Sequence, residues 1–242
     1  MEYEGAIEVL LSSETQGIDQ LILDAVLDLA ESEACSLAAY SVSVESPLAL
    51  LPKVQVRKRL IDNLQPFFGS IKYNRTELTV KSGLILAFDD GEPGARTVVG
   101  FIDFIPRLYT QSTASIGVIV VSPEHRGKGV MKAMLAELQK RFPVLVLVCS
   151  LKLVHMYEGL GFYSIAPEGA HVSMANGLAE GKAWEPEQTQ EHKLLMEEAR
   201  NRIRKNIGGD EYDKAMADLR VKEGEQKRQV NAYFASCRHF RA

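Results

Sequence analysis

Cysteine is scarce in this chain, and the few present are badly placed for shared work. Cys35, Cys149 and Cys237 are odd in number and far apart. They form neither a zinc spacing nor a disulfide framework, so no metal is expected and a reducing cytoplasm is the expected location. Long apolar runs are missing too, and none reaches the roughly 20 residues that a spanning helix needs. The opening residues MEYEGAIEVLL are acidic and lack the basic-then-apolar order of a signal peptide. Excess positive charge is also absent: 28 Lys and Arg stand against 32 Asp and Glu, for a net charge of −4. That balance argues against general nucleic-acid binding, which leans on surplus cations. What remains is a globular composition, 46% hydrophobic and 25% charged. At 242 residues the chain suits one large domain, or one domain with an appendage.

The stretch SIGVIVVSPEHRGKGVMKAML, Ser115 to Leu135, is the most informative. Ser115–Val121 is apolar and β-branched, which suits a buried strand. Pro123 ends it, because proline has no N–H for a sheet ladder. Arg126-Gly127-Lys128-Gly129 then supplies two cations and two flexible positions. From Val130 a helical period starts, with Val130, Met131, Met134, Leu135 and Leu138 on one face. Loop N–H groups and the positive end of a helix dipole thus converge, which is a ready seat for a phosphate.

Three kinds of glycine loop join a strand to a helix. A P-loop needs G-x-x-x-x-G-K-[ST], but Lys128 is followed by Gly129. A dinucleotide fingerprint needs G-x-G-x-x-G, but Lys132 stands at the third glycine position. The pattern that fits is [Q/R]-x-x-G-x-[G/A] after V-x-P. It resembles the acetyl-coenzyme A loop of the GNAT superfamily of N-acetyltransferases, with Met131 where a small residue is usual.

In chain order, Ala6–Leu11 reads as a strand. Thr15 or Asp19 is a candidate cap for a helix whose stripe is Ile18, Leu21, Ile22, Ala25, Val26 and Leu29. Ala39–Ser46 fits a loop or a short strand. Pro47 to Phe68 carries a second helical stripe, including Val54, Leu60, Leu64 and Phe67. Leu78–Phe88 and Thr97–Ile105 read as strands joined by the turn Asp89-Asp90-Gly91-Glu92-Pro93-Gly94, a hairpin signature. After the helix Val130–Phe142 come a strand Val144–Cys149, a short helix Val154–Gly159, a return strand from Phe162, and a strand His171–Met174. The order suggests an α/β fold: a mixed α+β sheet with helices on both faces. It is also the GNAT order, so the expected architecture is the GNAT-like acyl-CoA N-acyltransferase fold with a C-terminal helical extension. The expected boundary puts the acetyltransferase domain at 1–177 and a charged helical hairpin at 178–242. Trp184-Glu185-Pro186 marks the junction, and Gly208-Gly209 divides the hairpin, with Asp210 a candidate cap for its second helix. Tyr212, Met216, Leu219, Glu223, Gln226, Val230, Tyr233 and Cys237 follow a seven-residue repeat there, interrupted by Glu223 and Gln226.

The resemblance implies roles for particular residues. Arg126, Gly127, Lys128, Gly129, Val130 and Met131 would hold the pyrophosphate of acetyl-CoA, and Ile119 and Val121 would offer backbone groups to its pantetheine and acetyl oxygen. In the family a bulge splays this strand, and Gly117 permits one. Tyr157, opening Y-E-G-L-G-F, stands where the family tyrosine protonates the coenzyme thiolate, and Ser150 stands where many members contact the coenzyme through asparagine. The implied activity is acetyl transfer to a primary amine, on a small molecule or a protein, directly in a ternary complex. No general base is evident: Ser115–Val121 carries no carboxylate, and Asp103, on the strand before, is costly to bury unless used or paired. Glu124 and His125 read as solvated loop residues, and Cys149 as an inert core thiol. A second reading, of another class, is a GNAT-like scaffold without turnover that serves a larger assembly. The C-terminal helices are then the candidate surface for a homo-oligomer or a protein partner.

Overall fold

A computed structural model describes residues 6–11, 20–37, 42–64, 71–73, 76–78, 82–89, 96–184 and 190–237. Thr15, Asp19, Phe67, the hairpin turn 90–94 and residues 185–186 lie outside the described residues. The helices are α1 (Gln20–Ser32), α2 (Ala34–Leu37), α3 (Leu50–Asn63), α4 (Val130–Gln139), α5 (Val154–Glu158), α6 (Gln190–Ile207) and α7 (Gly209–Cys237). The strands are β1 (Ala6–Leu11), β2 (Ile71–Tyr73), β3 (Thr76–Leu78), β4 (Gly83–Asp89), β5 (Thr97–Pro106), β6 (Thr113–Val121), β7 (Val144–Ser150), β8 (Tyr163–Glu168) and β9 (His171–Ala175). Two compact units divide the chain. One comprises Met1–Ala30, Arg59–Val146 and Gly177–Pro186; the other comprises Glu31–Lys58, Leu147–Asn176 and Glu187–Ala242.

In the first unit the strands run β1-β4-β5-β6-β7 across the sheet. The pairs β1–β4, β4–β5 and β5–β6 are antiparallel, and β6–β7 is parallel over Thr113–Ser115. Six of the seven β4 residues are buried, so the strand is apolar throughout rather than alternating. Helix α4 contacts β1, β4, β5 and β6. Its buried residues Val130, Met134, Leu135 and Leu138 are the stripe that the helical period predicts, with Met131 only half-buried. Gly100 admits this packing. A Cβ there would come within 3.2 Å of Met134 Cε and 3.3 Å of Val130 Cγ1.

Three expectations are corrected in detail. Leu78–Phe88 is not one strand: β3 ends at Leu78, having paired with β2 as a separate two-stranded sheet, and β4 starts at Gly83. Proline brackets the second correction: the helix expected to reach Phe142 stops at Gln139, ahead of Pro143. Third, from Ala114 onward β6 is buried on alternate residues only, with Ser115, Gly117, Ile119 and Val121 half-buried.

In the second unit the remaining part of β7 neighbours β9, and β9 pairs antiparallel with β8. Helix α7 contacts both β8 and β9, and Tyr233 and Ser164 share a hydroxyl hydrogen bond at 3.0 Å. The two C-terminal helices bury Ala199, Ile203, Tyr212 and Leu219 in one cluster with Cys35, Val42, Leu48 and Leu51. Gly208, at φ 88°, makes the turn between them, a conformation that costs glycine little. The charged tail is thus packed on residues from early in the chain. Among the described residues, no helix is long and apolar enough to cross a membrane.

Candidate active site

The loop after β6 is built from backbone. Val121 ends the strand, Pro123–His125 form a 3-10 turn, and α4 begins at Val130. Gly127 and Gly129 take φ of 76° and 85°, the left-handed region that a side chain disfavours. The first α4 bond runs from Ala133 N–H to Gly129 O at 3.0 Å. Among the described residues, the N–H groups of Gly127 through Lys132 have no acceptor in the protein. These are orphan donors of a helix start, joined by two loop amides and by the exposed Lys128. The positive end of the helix dipole adds to them. Arg126 folds back, and its Nε donates to Val121 O at 3.1 Å, tying the loop to the end of β6.

The strand before the loop carries a bulge. Asp103 opposes Val118 while Phe104 opposes Ile116, so Gly117 has no partner on β5. Ser122 N–H donates to Val99 O on β5 at 2.8 Å. N–H directions alternate along a strand, so the amides of Val121 and Ile119 point away from β5, toward the edge beyond Ser115 where the β6–β7 ladder has stopped. The position of Arg126 on Val121 O marks the same edge. Gly117 is obligatory here: a Cβ on it would overlap Asp103 Oδ2 and reach within 2.5 Å of Asn63 Nδ2.

Ser150, Cys149 and Tyr157 belong to the second unit. Ser150 ends β7 half-buried, with its hydroxyl not engaged in capping the turn that follows. Tyr157 lies on α5, buried, with its ring edge-on to Phe162 at 5.8 Å. Phe162 N–H donates to Tyr157 O at 3.0 Å, and Gly161 at φ 87° makes that return possible. The hydroxyl of Tyr157 has no hydrogen-bond partner among the described residues. Burial raises its pKa well above the usual phenol value, and Cys149 adds to the rise, so the group keeps its proton at any physiological pH. Burial likewise pushes the Cys149 thiol up to about 12, and its Sγ lies 3.5 Å from Met174 Sδ. This is an inert thiol, not an acyl carrier.

Residues 56–162 match the model of the acetyltransferase (GNAT) family. Residues 56–162 carry a GNAT acetyltransferase domain. Solved structures similar to the chain include PaiA N-acetyltransferase from Thermoplasma acidophilum in complex with coenzyme A, at 16% identity and TM-score 0.47, covering 70% of this chain and 98% of that one. Escherichia coli ElaA is similar at 17% identity and TM-score 0.42, covering 72% and 99%. An acyl-CoA N-acyltransferase from Pseudomonas aeruginosa follows at 14% identity and TM-score 0.44, covering 71% and 99%. No curated protein sequence matches the chain at a significant level.

The matched segment of the GNAT domain holds every residue that the sequence nominates, from Ile119 to Tyr157. It also holds one set that sequence reasoning passed over. His125, expected in solvent, has a side chain only 17% exposed. Its Nε2 lies 2.9 Å from Asp89 Oδ2, and its Nδ1 lies 2.8 Å from Ser122 Oγ. A carboxylate accepts from Nε2–H, which leaves Nδ1 to accept from the Ser122 hydroxyl. The imidazole therefore staples the end of β4 to the start of the loop. The only signal for it was a serine three residues before a histidine at a strand end. His125→Ala is expected to lower stability by roughly 1 kcal/mol by loosening the loop. The denaturant midpoint measures this, and an unchanged midpoint would show that the loop needs no staple.

Proposed function

We propose that the chain transfers acetyl from acetyl-CoA to a primary amine by direct attack in a ternary complex. The observation that carries the reading is the row of unbonded amides from Gly127 to Lys132 at the head of α4. Those amides would hold the pyrophosphate, with Arg126 and Lys128 adding charge and Val130 and Met131 contributing backbone N–H groups. Met131 is half-buried on α4, and its amide has no acceptor among the described residues, so the usual small residue is not required for an open donor. The outward-facing amides of Ile119 and Val121 suit the pantetheine and the thioester oxygen, whose charge grows as the amine adds.

Acetyl-CoA supplies a thioester whose C–S bond breaks as the new C–N bond forms. Tyr157 would give its hydroxyl proton to the leaving sulfur, the proton that the amine loses on becoming an amide would return to the tyrosine by way of water, and Ser150 would contact the coenzyme. A phenol is a weaker acid than a thiol, with ordinary values near ~10 and ~8.5, and burial weakens Tyr157 further. The same burial makes an unprotonated thiolate costly, so both sides of the proton transfer are raised together.

Titrating acetyl-CoA into the full chain should give measurable heat and a thermal shift. The absence of both signals would end the proposal. Tyr157→Phe should lower kcat about 100-fold, within the usual range for a general acid, and leave the acetyl-CoA Kd unchanged. A variant that turned over at the wild-type rate would remove Tyr157 from the chemistry.

A further inference from the structure

Asp103 sits in the middle of β5 with 1% exposure, and the chemistry proposed above does not use it. A buried carboxyl is costly unless its oxygens are satisfied. Its neighbours show what it is bonded to. Asn63 Nδ2, at the end of α3, donates to Oδ2 at 2.8 Å. The backbone N–H of Val118 is a second donor. Oδ1 has no partner. The carboxyl also occupies the space that any side chain at Gly117 would need.

Gly117 is the unpaired residue of the β6 bulge, and Val118 is the first residue to rejoin β5. Losing the bulge would shift the register of β6 on β5 by one residue from Gly117 onward and turn every following amide to the other edge. Ile119 and Val121 would then donate toward β5 instead of outward. A carboxyl bonded to Val118 N–H, wedged against Gly117 and anchored to Asn63, opposes that slip directly.

The geometry points to Asp103 as a positioning residue. Held by Asn63 and bonded to Val118 in the space left by Gly117, it fixes the bulge and so aims the Ile119 and Val121 amides at the open edge of β6. The consequence for the coenzyme rests on the acetyl-CoA reading above; the consequence for the strand does not. Burial lifts the Asp103 carboxyl to about 6, opposed by the Asn63 amide, by Arg59 of α3 and by the Val118 and Asp103 backbone N–H groups. Asp62 of α3, also buried, adjoins Asn63 in sequence, while β4 and β6 present Leu84 and Val118 there and no charge. The carboxyl therefore changes charge near pH 6, and the bonds it accepts weaken as it gains a proton.

The test uses the full chain labelled with nitrogen-15, without coenzyme, followed from about pH 4.5 to 8. The Gly117 and Val118 amide signals are expected to titrate together with a midpoint near pH 6. They should be flat in Asp103→Asn. The acetyl-CoA Kd of Asp103→Asn at neutral pH should rise about tenfold. The exchange Asn63→Asp with Asp103→Asn, which moves the acid to the other partner, should recover part of it. Wild-type amides that do not titrate would overturn the proposal even if Asp103→Asn folds poorly, since a merely space-filling carboxyl predicts that result. An unchanged Kd in a folded Asp103→Asn would overturn it as well. Wild type that binds no acetyl-CoA would instead end the coenzyme reading, and the amide titration would still decide the role of Asp103 in the strand.

Discussion

Gly129→Val is expected to weaken acetyl-CoA binding at least about 100-fold, a loss near 2.7 kcal/mol. Gly129 stands at the head of α4 with φ 85°. An L-residue in that region costs about 1–2 kcal/mol, and a β-branched one is worse. The chain can relieve the strain by rotating the flanking peptides. That rotation swings the Val130 N–H, and with it the neighbouring donors, out of line with a bound phosphate. Hydrogen bonds to a charged group are worth about 1.5–3 kcal/mol each, so losing two accounts for the expected effect. Gly127→Ala makes a useful comparison. Its φ is 76°, but no atom of the described residues lies within 4 Å of an added Cβ, so only backbone strain is at issue. Calorimetry on both variants, with circular dichroism to show that the fold persists, checks the ranking. A valine variant within threefold of wild type would mean that the loop amides do not hold the coenzyme.

The largest loss of stability is expected from Gly117→Val, at about 3 kcal/mol or more. The new Cβ would overlap the Asp103 carboxyl and lie 2.5 Å from Asn63 Nδ2. Both side chains are buried and neither can swing into solvent. Forcing them apart adds overpacking and breaks a buried charge-assisted bond, leaving its partners unsatisfied. The denaturant midpoint of the variant, with its slope, measures the cost. A change under about 1 kcal/mol would show room around the bulge that the described packing excludes.

Much of this was readable from one dimension because it is local. Pro123 ends a strand wherever it stands, paired glycines mark a turn with positive φ, and the 3.6-residue stripe from Val130 to Leu138 names its own buried face. Those signals place the glycine loop and the helix behind it within one short stretch of chain. The tail's helical stripes were legible for the same reason. The short strands β2 and β3 were not, since three residues apiece, Ile71-Lys72-Tyr73 and Thr76-Glu77-Leu78, are too few to show a period.

Side chains far apart in the chain decided the rest. Gly117 permits a bulge, but its placement depends on Asp103 and on Asn63, which stands 40 residues before Asp103. His125 looked solvated until β4 brought Asp89 to its ring. The apolar face of α6 and α7 showed that something must cover it, but the cover came from Cys35, Val42, Leu48 and Leu51. Local geometry follows from each residue's own sterics and hydrogen-bonding groups. The environment of a buried carboxyl, an imidazole or an amphipathic face depends on which distant strand or helix arrives beside it, and packing alone makes that choice.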